Sequence, residues 1–122
     1  MSGRTIVVLG ASPKEDRYAN MAMHQLMEHG EHAVPVNPAF EEVLGEKCFA
    51  SIAEVPGPIH TVTLYLGAAR SSPLIDEILA AKPQRVVMNP GAENEELARQ
   101  AESAGIEVVH GCTLVMLRTG TF

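Results

Sequence analysis

The sequence is short of several things, and each shortage removes a class of explanation. Its 122 residues include two cysteines, Cys48 and Cys112, far apart and outside any C-x-x-C spacing. No disulfide framework can be read from them, so a reduced, cytoplasmic setting is expected. Basic residues are in deficit, 9 Lys+Arg against 15 Asp+Glu, for a net charge of -6. Broad attraction to nucleic acid or to an anionic membrane is therefore disfavoured, and an anionic ligand must be held by local geometry. Apolar runs fall far below the roughly 18 to 20 residues needed to span a bilayer. Met1 to Arg4 leads straight into a strand-like run, so no signal peptide is expected. Repeats, low-complexity tracts and linkers are also missing. At 46% hydrophobic, the chain has the composition of one globular domain over residues 1–122.

Thr5 to Leu9 is a continuous apolar, β-branched run ending at Gly10, the pattern of a strand buried on both faces. From Tyr18 to His29, Met21, Ala22 and Leu26 recur at helical spacing, and Gly30 supplies a stop. A short strand follows at His32 to Asn37, where Pro35 belongs at an edge or where a missing donor is tolerated. Ser51-Ile52-Ala53-Glu54 fits a capping box for a short helix. His60 to Leu66 is β-branched and aromatic, hence a strand. Ser72-Pro73 then opens a helix whose apolar face is Leu74, Ile75, Ile78 and Leu79. Arg85 to Asn89 reads as strand, Asn94 to Ala104 as helix, and Ile106 to His110 as strand. The stretch from Cys112 onward reads as a last apolar helix or turn. Strand and helix alternate about five times with connections too long for hairpins, which predicts a three-layer, doubly wound parallel sheet. In such folds ligands bind beyond the carboxyl ends of the strands.

Familiar nucleotide motifs are absent there too. A G-x-G-x-x-G fingerprint would need glycines at positions 12 and 15, which hold Ser12 and Glu15. An acid for a ribose diol would close the second strand, where Asn37-Pro38 stands instead. No Walker A loop and no H-E-x-x-H motif is present. What remains is a tight turn at Gly10, the Ser12 hydroxyl, a helix start with its positive dipole end, and the cations Lys14 and Arg17. Two readings stand: a pyrophosphate site, or an ordinary loop with solvated charges. Asn89-Pro90-Gly91 is a turn that lets backbone approach a ligand closely, with Asn89 at a strand end. Its alternative is a joint in which Asn89 satisfies loop backbone and Asn94 caps a helix. His110 and Cys112 could form a nucleophile pair, but no third residue orients them in sequence.

Taken together, "VVLGASPKEDRYANMAM", "VPVNP", "VTLYL", "VVMNPGAENEEL" and "EVVHGCTLVML" resemble the small stand-alone CoA-binding domain proteins, relatives of the N-terminal domain of the succinyl-CoA synthetase alpha subunit. The resemblance implies a Rossmann-like fold with strand order 3-2-1-4-5 and coenzyme A or an acyl-CoA as ligand. It places Gly10, Ala11 and Ser12 at the pyrophosphate with Arg17 nearby, and Val36, Asn37 and Pro38 beside the adenosine. Tyr65, Leu66 and Gly67 would line the cleft, and Asn89, Pro90 and Gly91 would face the pantetheine arm. The sequence departs from the family's pattern at Ala19, where many members have serine. It also departs at Arg70, which comes later than the usual arginine after the third strand, and at His110-Gly111. Coenzyme A carries a 3'-phosphate where an acid would be repulsive, which agrees with Asn37.

The function expected from this is a non-catalytic CoA-binding module, since the synthetase chemistry depends on other domains. The alternatives are a small NAD(P)-dependent oxidoreductase, an acyl-CoA enzyme using Cys112, or another adenine-nucleotide-binding or structural domain.

Overall fold

A computed structural model describes residues 3–122. Strand β1 spans Thr5–Leu9, β2 His32–Val36, β5 Thr61–Leu64, β6 Arg85–Met88 and β7 Glu107–His110. These form one five-stranded sheet in the order β2-β1-β5-β6-β7, and every adjacent pair is parallel. A two-stranded ribbon, β3 (Glu42–Val43) and β4 (Glu46–Lys47), stands apart from it. The helices are α1 (Tyr18–Glu28), α2 (Ala68–Ser71), α3 (Ile75–Ala80), α4 (Glu95–Ser103) and α5 (Thr113–Thr119).

Period-two side-chain alternation divides the core into two layers. Ile6, Val8 and Ala33 face one side and pack with Ala19, Met23 and Leu26 of α1 and Leu117 of α5. Val7, Leu9, Val34, Val36, Val62, Leu64, Val86 and Met88 face the other side, with Ile75 and Ile78 of α3 and Leu97 and Ala101 of α4. The three-layer, doubly wound α/β class is as the alternation predicts. The strand order departs from 3-2-1-4-5 at one edge. Outside β2, where a further strand would lie, the chain makes only a one-residue parallel bridge between Phe49 and Val36.

That edge explains Pro35. β2 has a strand neighbour only on the β1 side, so proline's missing donor leaves no ladder bond unmade, while the Pro35 carbonyl accepts from Phe49 N at 3.1 Å. The second helical stretch begins earlier than Ser72-Pro73 predicts. Gly67 caps α2, Ser72–Leu74 tightens into a 3-10 turn around Pro73, and α3 follows.

The connection from β1 runs through α1 to β2 on one side, and the chain then crosses back so that β5 lies on β1's other flank. The carboxyl ends of β1 and β5 therefore flank the point where the winding reverses, where a crevice forms without further help from side chains.

Candidate functional site

The turn after β1 is shaped by a close approach of backbone. Gly10 has φ +95°, and a Cβ there would stand 2.9 Å from Leu66 Cδ2 and 3.3 Å from the Tyr65 carbonyl carbon, so a side chain is excluded twice over. Gly10 N donates to Val36 O at 2.9 Å. Asn37 Nδ2 donates to Ala11 O at 2.8 Å while its Oδ1 accepts from Ala39 N at 2.9 Å. Asn20, buried in α1, donates through Nδ2 to Ser12 O at 3.1 Å, and Ser12 Oγ accepts from Lys14 N at 3.1 Å. The loop is thus held from both ends before any ligand arrives. After it, α1 starts with Arg17 as an extended N-cap that makes no side-chain cap bond, and its first turn carries no acid.

A cleft of about 430 Å³ opens over this turn. Of the residues expected from sequence, Gly10, Ser12, Lys14, Arg17 and Asn37 line it on one side, and Tyr65, Leu66, Pro90 and Gly91 from the ends of β5 and β6 line it as well. Val36 and Pro38 line a smaller cavity of about 180 Å³ that shares Gly10, Asn37 and Leu66 with the first. Ala11, Gly67 and Asn89 line neither cavity. Ala11 is fully buried under the turn, and Gly67 caps α2 beside Gly91.

Asn89 is turned inward. Its Nδ2 donates to Thr63 Oγ1 at 2.8 Å and to Leu64 O at 2.9 Å, and its Oδ1 accepts from Thr113 N at 2.8 Å. It ties β5, β6 and the start of α5 into one buried unit. Asn94 caps α4 by accepting from Leu97 N at 3.1 Å.

Six lining residues were not among those expected at the site: Tyr18, Ala19, Ala39, Phe40, Arg70 and Ala92. Arg70 lines both cavities, because α2 begins immediately after Gly67 and carries it over the end of β5. The cue available in sequence was Gly67-Ala68-Ala69, a glycine cap followed by two strong helix formers. Lys14, Arg17 and Arg70 have no ion-pair partner among the described residues, where the ion pairs are Arg4–Glu31 and Glu96–Arg99. In a chain of net charge -6, three unpaired cations at one cleft make a local positive field that the overall charge does not reveal.

Burial pushes the Tyr65 phenol up to about 12, with the neighbouring Thr63 and Thr113 hydroxyls only partly opposing the rise. Those two hydroxyl oxygens lie 2.7 Å apart, and the buried Tyr65 hydroxyl makes no hydrogen bond of acceptable geometry. Tyr65 is therefore a neutral wall near pH 7. Both cysteines are free thiols. Burial raises the Cys48 thiol, whose Sγ lies 3.5 Å from Asn37 O. His110 is exposed on a shallow groove along α4 and has no hydrogen bond to Cys112, the half-buried N-cap of α5. Among the described residues there is no cluster of three or more His, Cys, Asp or Glu fit for a metal, and no helix is long and apolar enough to cross a membrane.

The fold recurs in known proteins. A crystal structure of an uncharacterized protein is 42% identical, superposes with TM-score 0.94 and matches over 100% of both chains. A hypothetical protein from Pyrococcus horikoshii is 32% identical with TM-score 0.91, over 97% of this chain and 84% of that one. The ADP-forming acetate–CoA ligase I of Archaeoglobus fulgidus is 24% identical over 95% of this chain, which spans only 18% of the ligase. The family model described as CoA binding domain matches residues 4–118. This chain therefore belongs to the CoA-binding domain family.

Proposed function

We propose that this protein binds coenzyme A or an acyl-CoA in the cleft between the ends of β1 and β5, as a stand-alone binder and not as an enzyme. The observation that carries the reading is the meeting of three unpaired cations, Lys14, Arg17 and Arg70, with an uncapped helix start on one cleft. Coenzyme A brings a pyrophosphate and a ribose phosphate to such a place, and a helix N-terminus with free N–H groups complements them. The Gly10 turn, packed against Tyr65 and Leu66 just past β5 and without a side chain of its own, leaves its backbone open to phosphate oxygens. Pro90 and Gly91 at the far side of the cleft leave a neutral path for the pantetheine arm. The larger cleft offers donors, cations and apolar walls, which bind and orient a ligand, and its buried Tyr65 phenol stays protonated.

Thermal unfolding with CoA, acetyl-CoA, NAD, NADP and ATP tests the reading. A ligand at about a hundred times its Kd adds roughly 2.7 kcal/mol, so CoA should raise Tm by several degrees. A shift with NAD and none with millimolar CoA would overturn it in favour of a nicotinamide cofactor.

A further inference from the structure

We infer that Arg70 is the specificity-determining residue of the site, the one that reads a phosphomonoester on the ribose and so separates coenzyme A from its 3'-dephospho form. This rests on the coenzyme reading above and assigns a role within it.

Order along the ligand places the ribose phosphate. The two cavities share Gly10, Asn37, Leu66 and Arg70. The smaller one is walled by Leu9, Val36, Pro38 and Leu74, an apolar slot suited to a purine face. Ser12, Lys14 and Arg17 line only the larger one, at the start of α1 where a pyrophosphate is best held. Ribose lies between base and pyrophosphate, so its 3'-phosphate falls at the junction. Of the four junction residues, Arg70 alone is charged. The Asn37 amide is occupied by Ala11 O and Ala39 N. The chain after β2 continues as Pro38-Ala39-Phe40 and brings no cation.

Glu77 sharpens the placement. Its carboxylate lines the small cavity and is held by Ser51 Oγ at 3.1 Å. A phosphate inside that slot would meet a fixed negative charge, whereas at the rim it meets the Arg70 guanidinium, whose planar donors match phosphate oxygens. The backbone that carries Arg70 is fixed: Arg70 N donates to Gly67 O at 2.9 Å, and the adjacent Ser71 is fully buried, its Oγ accepting from Asn94 Nδ2 at 2.8 Å. The Arg70 side chain itself is exposed and has no ion-pair partner.

Calorimetric titration of CoA and dephospho-CoA into the unsubstituted protein, Arg70→Gln, Arg70→Lys and Arg17→Ala tests the assignment. Arg70→Gln should weaken CoA by about tenfold or more, the scale of a lost charge-assisted contact, and leave dephospho-CoA within about twofold. Arg70→Lys should restore part of the preference, and Arg17→Ala should weaken both ligands alike. Equal loss of both ligands in Arg70→Gln, or no loss of either, overturns the assignment while leaving coenzyme binding in place. Failure of the unsubstituted protein to bind either ligand overturns the coenzyme reading itself, and the Arg70 role with it. Because Arg70 is exposed and unpaired, the unliganded Tm of Arg70→Gln should be no lower than that of the unsubstituted protein.

Discussion

The joint from β1 to α1 and the joint from β6 to α4 are the same device in chain terms: a parallel strand, a glycine-bearing turn and a helix whose first N–H groups need acceptors. They are finished in opposite ways. At the second joint Asn94 accepts from Leu97 N and donates to Ser71 Oγ and Ser72 Oγ, while Glu95 and Glu96 occupy the first turn of α4. At the first, Arg17 takes the N-cap position without a side-chain cap bond, and Tyr18 and Ala19 stand where the second joint places Glu95 and Glu96, so no acid loads the first turn. One joint satisfies itself and holds layers together. The other leaves its electrostatic demand open, which is what a site for an anionic ligand requires.

The largest expected effect tests the self-satisfied side. Asn89→Ala removes the partner of Thr63 Oγ1, Leu64 O and Thr113 N in one change, at a position only 3% exposed. Buried groups left without partners should cost about 3 kcal/mol, read as a lower urea midpoint with an unchanged m-value. If Asn89 instead acts on the ligand, stability will hold and CoA affinity will fall. Asn94→Ala comes next. Loss of the α4 cap and of the bonds to Ser71 and Ser72 should cost about 2 kcal/mol, with no change in CoA affinity beyond about twofold. Weakened binding there would mean that the two joints are coupled through Ser71 and its neighbour Arg70.

The same contrast shows how much could be read in advance. Periodicity gave away every strand of the main sheet and the helices α1, α3 and α4, because buried parallel strands must be apolar runs and their crossovers must be amphipathic, but not α2. Gly10 and the cations Lys14 and Arg17 were legible because a positive-φ turn and a helix start impose residue types locally. Asn89 and Asn94 were ambiguous, since an asparagine at a strand end serves a ligand or a backbone equally well until its partners are known. Those partners, Thr63, Ser71 and Thr113, are far away in sequence. Arg70 was left in doubt for the related reason that Ser72-Pro73 looks like a helix start, when the chain there is already helical and merely tightens. The strand order went astray at the β2 edge, because a single bridge at Phe49 leaves no periodic trace.

The smallest effect on stability is the most direct test of the contrast, because it asks whether the first joint can be turned into the second. Arg17 sits at the N-cap of α1 with φ -88° and ψ 139°, backbone that an aspartate cap adopts without strain. Arg17→Asp supplies an acceptor for the first N–H groups of the helix and a negative charge at its positive end. It also removes one of three cations that repel one another across the cleft in the absence of ligand. Each term favours the unliganded fold, so a gain of about 0.5 to 1 kcal/mol is expected, visible as a Tm raised by a few degrees. The CoA-induced shift should disappear in the same protein, since the new carboxylate occupies the donors that a pyrophosphate would use. A variant that is both more stable and unable to bind would show that the open helix start is retained at a cost to stability because the ligand needs it. A variant that loses stability would show that Arg17 is already a structural cap in all but hydrogen bonds, and the distinction between the two joints would collapse.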